Sequence, residues 1–217
     1  MPYIYTKKMS AKIAVLTGDI IRSTDLDTGR RQQLQAVLTS AFAGITEQIP
    51  LFRAEQFRGD SFQAVCPKPE EGLRALLLIQ ALLRKNDFGI RIALGLGDIQ
   101  YESDSILTSD GSAFQRSGPA LDDIKKKNQP VAVIGPSDSF NQEWRVHSLS
   151  LGFLLQRWTL PQAEAVLAQL QGLTQEETAR SLDIRQPAVQ QRLQATGWGV
   201  MDAILERFVT SVHADLL

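Results

Sequence analysis

Apolar residues recur along this chain in two rhythms. Up to about Gly135-Pro136, short apolar runs alternate with longer amphipathic stretches; beyond it the spacing is helical throughout. Lys12 to Thr17 is apolar and β-branched, the signature of a buried strand. Arg30 to Thr46 sets Leu34, Leu38, Ala41, Phe42 and Ile45 at helical spacing. Leu51 to Arg58 and Ser61 to Cys66 predict two strands joined by a turn at Gly59-Asp60. Glu70 to Lys85 predicts a strongly apolar helix, and Gly89 to Tyr101 a long alternating strand. Glu102 to Ser112 reads as a polar loop, Ala113 to Lys127 as a loop followed by a helix, and Pro130 to Ile134 as a further strand. The order β-α-β-β-α-β, then α-β, predicts an α/β (α+β) fold: a ferredoxin-like antiparallel sheet with helices on one face.

Beyond residue 137, helical stretches fall near 138–157, 161–171, 174–182, 187–196 and 199–211, with Pro161, Gly172 and Gly197 between them. The chain therefore divides into an α/β domain, residues 1–137, and an all-α domain, residues 138–217. Composition adds two exclusions to this picture. The single cysteine, Cys66, excludes an intrachain disulfide, and its apolar run argues for a buried, inert thiol. No stretch approaches the ~20 apolar residues of a membrane span, and the run from Ile13 to Leu16 is too short for a signal peptide. Residues 1–10 read as a partly ordered extension and the protein as cytoplasmic.

Candidate chemistry centres on Thr17-Gly18-Asp19-Ile20 and Arg58-Gly59-Asp60-Ser61-Phe62. Asp19 ends the first strand and Asp60 lies in a hairpin turn, and a β-α-β-β sheet can bring these ends together. Two close carboxylates call for a compensating cation, and Mg²⁺ or Mn²⁺ accepts a few carboxylate oxygens along with substrate phosphates. Gly18 and Gly59 would leave room for a ligand near the backbone. Ile20 to Thr24 would offer backbone N–H groups to a phosphate, with Ser23 or Thr24 capping the next helix. The competing reading is that each aspartate caps its own turn and the two never meet.

These segments resemble those of class III nucleotide cyclases. In that family the first strand ends in a pattern like D-I-x-x-S-T, here Asp19-Ile20-Ile21-Arg22-Ser23-Thr24, and the hairpin carries G-D-x-F, here Gly59-Asp60-Ser61-Phe62. A later strand similar to R-I-G-I-x-x-G-E runs from Arg91 to Asp98, and a G-P-x-V-N-x-A-A-R pattern has its counterpart at Gly118 to Lys126. The resemblance implies a cyclase-like fold over about residues 12–134 and a metal role for Asp19 and Asp60. It also implies a nucleotide site that includes Ile20, Ser23, Thr24, Gln56, Asp122 and Lys126. Three of these depart from the family pattern: Gln56 stands for a base-reading Lys, Asp122 for a transition-state Asn and Lys126 for a phosphate-contacting Arg. An Asp repels a triphosphate where Asn would donate, and Lys lacks the bidentate fork of Arg. These losses argue against cyclase turnover while leaving room for nucleotide or metal binding.

In the second half, residues 173–197 resemble the helix-turn-helix of sigma-factor region 4 and related bacterial regulators. Thr174 and Glu177 form a capping-box pattern, Ala179 is the small residue at the helix crossing, and Leu182, Ile184, Val189 and Leu193 are its apolar contacts. Pro187 suits the first turn of the second helix. Carried over by position, Arg185, Gln186, Gln190, Gln191 and Gln194 face base edges, and Arg180 and Arg192 lie near phosphates. Net charge weighs against strong DNA binding by one chain: residues 138–217 hold 6 Lys+Arg against 9 Asp+Glu, a balance of −3. A homodimer would double the recognition helices.

The pairing of a cyclase-like domain with a helix-turn-helix is similar to the SatD family of bacterial proteins. The leading expectation is a DNA-binding transcriptional regulator whose degenerate cyclase-like domain dimerises and senses a nucleotide or a divalent metal. Two alternatives are a metal-dependent nucleotidyl or phosphoryl transferase and a non-catalytic dimeric scaffold.

Overall fold

The computed structural model describes residues 11–217, so the expected N-terminal extension lies outside the described residues. Strand β1 (Lys12–Ile20) leads to helix α1 (Thr28–Gln48), the hairpin β2 (Arg53–Phe57) and β3 (Ser61–Cys66), helix α2 (Gly72–Lys85) and β4 (Ile90–Asp98). Helix α3 (Ser112–Lys127) and β5 (Val131–Ile134) complete the α/β half. The sheet runs β2-β3-β1-β4-β5, with β1 antiparallel to both β3 and β4, and β5 parallel to β4. The first four strands thus have the ferredoxin-like order the sequence predicts.

One expectation needs correction: helices cover both faces. Ala14, Leu16, Phe62, Ala64, Ile92 and Leu94 pack towards α1 and α2. Their strand neighbours Ile13, Val15 and Val65 meet Ala113 and Phe114 of α3, and Ala93 meets Ala120, Leu121 and Ile124. The reason lies in β4, where large Ile92, Leu94 and Leu96 alternate with small Ala93, Gly95 and Gly97. The small side lets a helix approach closely. A Cβ on Gly95 would run into the Ala113 carbonyl, and one on Gly97 would lie 2.7 Å from the Ala113 nitrogen.

The loop expected at the start of α3 is also absent. The helix begins at Ser112, whose hydroxyl accepts from the Asp98 N–H, and it continues through Gly118-Pro119. A proline removes one N–H and crowds the preceding turn, yet the helix is held by burial of Phe114, Ser117, Leu121 and Ile124 along one side.

Five helices follow: α4 (Asp138–Leu155), α5 (Leu160–Leu170), α6 (Gln175–Ser181), α7 (Gln186–Thr196) and α8 (Trp198–Asp215). Helix α5 packs on α2, and the buried residues of the helices form one continuous cluster with those beneath the sheet. Trp144 and Trp158 are fully buried anchors of that cluster. None of the described helices is long and apolar enough to cross a membrane.

Candidate functional site

β-sheet register brings the two aspartates together. Asp19 pairs with Ser61 across β1 and β3, and the Ile20 N–H donates to the Asp60 carbonyl at 2.9 Å. The hairpin turns through Arg58 and Gly59, both at positive φ, which sets Asp60 beside the end of β1. The Ser61 hydroxyl sits between the carboxylates, 3.3 Å from Asp19 Oδ1 and 3.4 Å from Asp60 Oδ1. Those two oxygens therefore lie within about 7 Å, while a single Mg²⁺ at ~2 Å bonds needs them within about 4 Å. The Ser23 hydroxyl donates to Asp60 Oδ2 at 2.5 Å, tying the loop after β1 to the hairpin.

The cation beside these carboxylates belongs to the chain. Lys125 of α3 places its Nζ 3.2 Å from Asp19 Oδ1, and the Asp19 side chain is only 15% exposed. Lys125 belongs to the basic run Lys125-Lys126-Lys127 that ends α3. The readable signal was its position one turn after Leu121, at the flank of the buried side of α3. Lys127 pairs with Asp123 at 2.6 Å, and Lys126 is exposed. A second cation approaches on the neighbouring strand, where Arg91 is the cross-strand partner of Asp19. Its guanidinium donates to Asn128 Oδ1 at 3.1 Å, and its Nε is buried with no partner.

Several expected site residues lie elsewhere. Gln56 pairs with Phe62, and strand alternation sends both to the α1 face, opposite Asp19 and Ser61. Asp122 and Lys126 are exposed on α3, four residues apart, and no hydrogen bond or ion pair joins either to the two aspartates. The space expected at Gly18 is filled by the Phe62 ring, which a Cβ there would overlap. Of the loop N–H groups, that of Ile20 is taken by Asp60 and that of Ile21 by the Gly89 carbonyl at 2.8 Å. The next helix, α1, is capped by Asp27, whose carboxylate accepts from the Arg30 N–H at 2.8 Å; Ser23 and Thr24 lie in a short 3₁₀ turn before it.

As arranged, these residues suit a divalent ion poorly. Asp19 already faces an ammonium, both Asp60 oxygens have hydroxyl neighbours, and no group of three or more His, Cys, Asp or Glu that could hold a metal occurs among the described residues.

The second candidate is the α6–turn–α7 unit. Thr174 and Glu177 form the reciprocal capping box: the Glu177 N–H donates to Thr174 Oγ1, and the Thr174 N–H donates to Glu177 Oε2 at 2.8 Å. The Thr174 N–H and, with it, the Thr174 hydroxyl donate to Glu177 Oε2 and hold that carboxyl below its ordinary range. Thr178, Ala179, Val189 and Leu193 are buried between α5, α6 and α7. Arg180, Arg185, Gln186, Gln190, Gln191 and Gln194 are exposed, and Gln186 donates to Gln175 Oε1 at 2.6 Å. Arg192 is turned back onto α5, 3.6 Å from Glu164 Oε2 and donating to the Pro161 carbonyl at 3.3 Å.

No family model and no curated protein matches this chain. Among solved structures, two of a bacterial light-regulated adenylyl cyclase match at 18% identity, with TM-scores of 0.40 and 0.42. Each match covers 57% of this chain and 43% of the cyclase chain. The crystal structure of the guanylyl cyclase Cya2 matches at 14% identity and a TM-score of 0.38, over 58% of this chain and 77% of that one. The chain thus spans less than half the length of the adenylyl cyclases it matches. Likenesses of this size carry no functional argument.

Proposed function

We propose that this protein is a DNA-binding regulator whose α/β half is its ligand-responsive part. The observation that supports it most is the exposed face of α7. Arg185 and Gln186 stand at the N-terminal end of the second helix of a capped helix-turn-helix, followed by Gln190, Gln191 and Gln194. Side chains at these positions are the ones such a unit turns to base edges in the major groove, where Gln reads adenine and Arg guanine. Arg180 is exposed and can reach a phosphate, whereas Arg192 is held by Glu164.

The polar pocket at Asp19, Asp60, Ser61 and Lys125 is the part of the α/β half that would answer a nucleotide or a divalent cation. Catalysis of phosphoryl transfer is disfavoured there. Oriented donors at the developing charge carry most of that chemistry, and the three donors of the cyclase pattern are replaced here by Gln56, Asp122 and Lys126. Assembly as a homodimer would supply the second recognition helix that a net-acidic helical half needs.

Selection of a DNA site from a random pool, followed by gel shift with Arg185→Ala/Gln190→Ala, tests the reading. The double variant is expected to abolish binding to the selected site. Binding that survives it, or a pool from which no sequence competes better than random duplex, ends the DNA-binding reading.

A further inference from the structure

The two aspartates are compensated by a part of the chain itself. Asp19 is 15% exposed, so its ion pair with Lys125 is less screened than a fully solvated one. Lys125 reaches it because α3 lies tight against β4 across Gly95 and Gly97. The Ser23 hydroxyl reaches Asp60 Oδ2, the Ser61 hydroxyl lies between Asp19 Oδ1 and Asp60 Oδ1, and Arg91 stands on the adjacent strand. A divalent ion bound to Asp19 Oδ1 at ~2 Å would sit no farther than about 5 Å from the Lys125 ammonium, where like charges in a half-buried setting repel strongly.

We propose that Lys125 occupies the cation position of this pocket, so that lysine and a divalent metal ion exclude each other. Resident Lys125 competes with a divalent ion for Asp19 and so weakens its binding. The charged groups that decide the competition are Asp19, Asp60, Arg91 and Lys125, contributed by β1, the hairpin turn, β4 and α3. This rests on the two-aspartate pocket being the responsive part of the protein. It is independent of whether α7 binds DNA.

The test is Mn²⁺ binding to the full chain, followed by the loss of the free-ion electron paramagnetic resonance signal and by calorimetry. Lys125→Met keeps the length of the side chain and removes its charge, and Lys125→Glu adds a third carboxylate. Affinity is expected to rise about tenfold or more from wild type to Lys125→Met, because a neighbouring like charge is removed. It should rise again in Lys125→Glu, and Asp19→Asn introduced with Lys125→Met should return it to the wild-type level. Equal affinity in wild type and Lys125→Met, or no saturable binding by either lysine variant, overturns the proposal. Should Lys125→Met fail to fold, as read by circular dichroism, Lys125→Gln takes its place with the same expected rise. Gel shift with wild-type protein separates the two readings: lost DNA binding leaves the Mn²⁺ series standing, and a flat Mn²⁺ series leaves DNA binding standing.

Discussion

Cys66 shows how much a single position on β3 can reveal. Its thiol is fully buried, within 3.0 Å of the Lys68 carbonyl, and burial pushes its pKa up from 9.0 to about 12. The thiolate is the nucleophile, so this side chain is inert at neutral pH. A raised folded-state pKa means that the thiol form stabilises the fold fully below pH 9.0 and that this contribution is lost as pH rises towards about 12. Native protein at pH 8 is therefore expected to react with a disulfide reagent far more slowly than urea-unfolded protein. Cys66→Ala should lose less stability than wild type between pH 9 and 11 in alkaline urea titrations. Rapid labelling of the native thiol would show that this strand is open to solvent. The sequence reading of Cys66 as a buried thiol rested on its apolar run alone, and the raised pKa follows from the same burial.

At the scale of elements, the position of α3 sets where Lys125 stands beside Asp19. Gly95 meets the Ala113 carbonyl and lies 2.7 Å, measured from a would-be Cβ, from the Ser117 nitrogen, so both neighbours are backbone and cannot yield. Gly95→Ala is expected to push α3 off the sheet at a cost of about 2 kcal/mol in urea unfolding, typical of forced overpacking. A fully stable Gly95→Ala would mean that α3 is loosely seated. The capping box of α6 can be tested in the same way: Thr174→Ala should cost about 1 kcal/mol. The Glu177 half of that box carries a pH sign. Its carboxyl is held below its ordinary 4.5 by hydrogen bonds from Thr174, so its contribution is present above that value and is lost as pH falls through the depressed range. Thermal melts of wild type and Thr174→Ala should converge on acidification. Both strands of the hairpin, the long helices and the capping box were legible because each is written in local spacing. The face that α3 covers and the reach of Lys125 were not. They depend on small residues of β4 meeting a helix about twenty residues later in the chain, and no local pattern encodes that meeting. The facing of Gln56 was implicit in the alternation of β2, but it takes the register with Phe62 to show which face is which.

Across the whole molecule, two arginines of α2 tie the C-terminal helices to the α/β half. Arg74 donates to the Leu170 carbonyl at 2.8 and 3.0 Å and to Gln48 Oε1 at 2.9 Å, and Arg84 donates to the Trp158 carbonyl at 2.7 Å. Helix α7 and the sheet are thus linked through α2 and α5, which gives the α6–turn–α7 unit a firm base and leaves the outer side of α7 facing solvent. What this base lacks is positive charge, because the helical half is net acidic. Helix α4 offers a way round that lack. Val146, Leu149 and Phe153 lie on one stripe of it and are 61%, 45% and 58% exposed, which makes this stripe the face on which the proposed homodimer is tested. If DNA is held by such a dimer, Arg180 and Arg185 of each chain supply four phosphate or base-edge cations. Binding should then show a log–log salt slope of about −4 at most, at about −0.9 per neutralised phosphate. Substituting Leu149→Glu/Phe153→Glu should yield a monomer in light scattering and weaken DNA binding, while Arg192→Ala should leave the slope unchanged, because Glu164 already holds that guanidinium. A slope much steeper than this would mean that the cations come from elsewhere, with Arg22, Arg58 and the α3 lysines of the α/β half the next to be tested. A Leu149→Glu/Phe153→Glu protein that binds as tightly as wild type would place the dimer contact on another face.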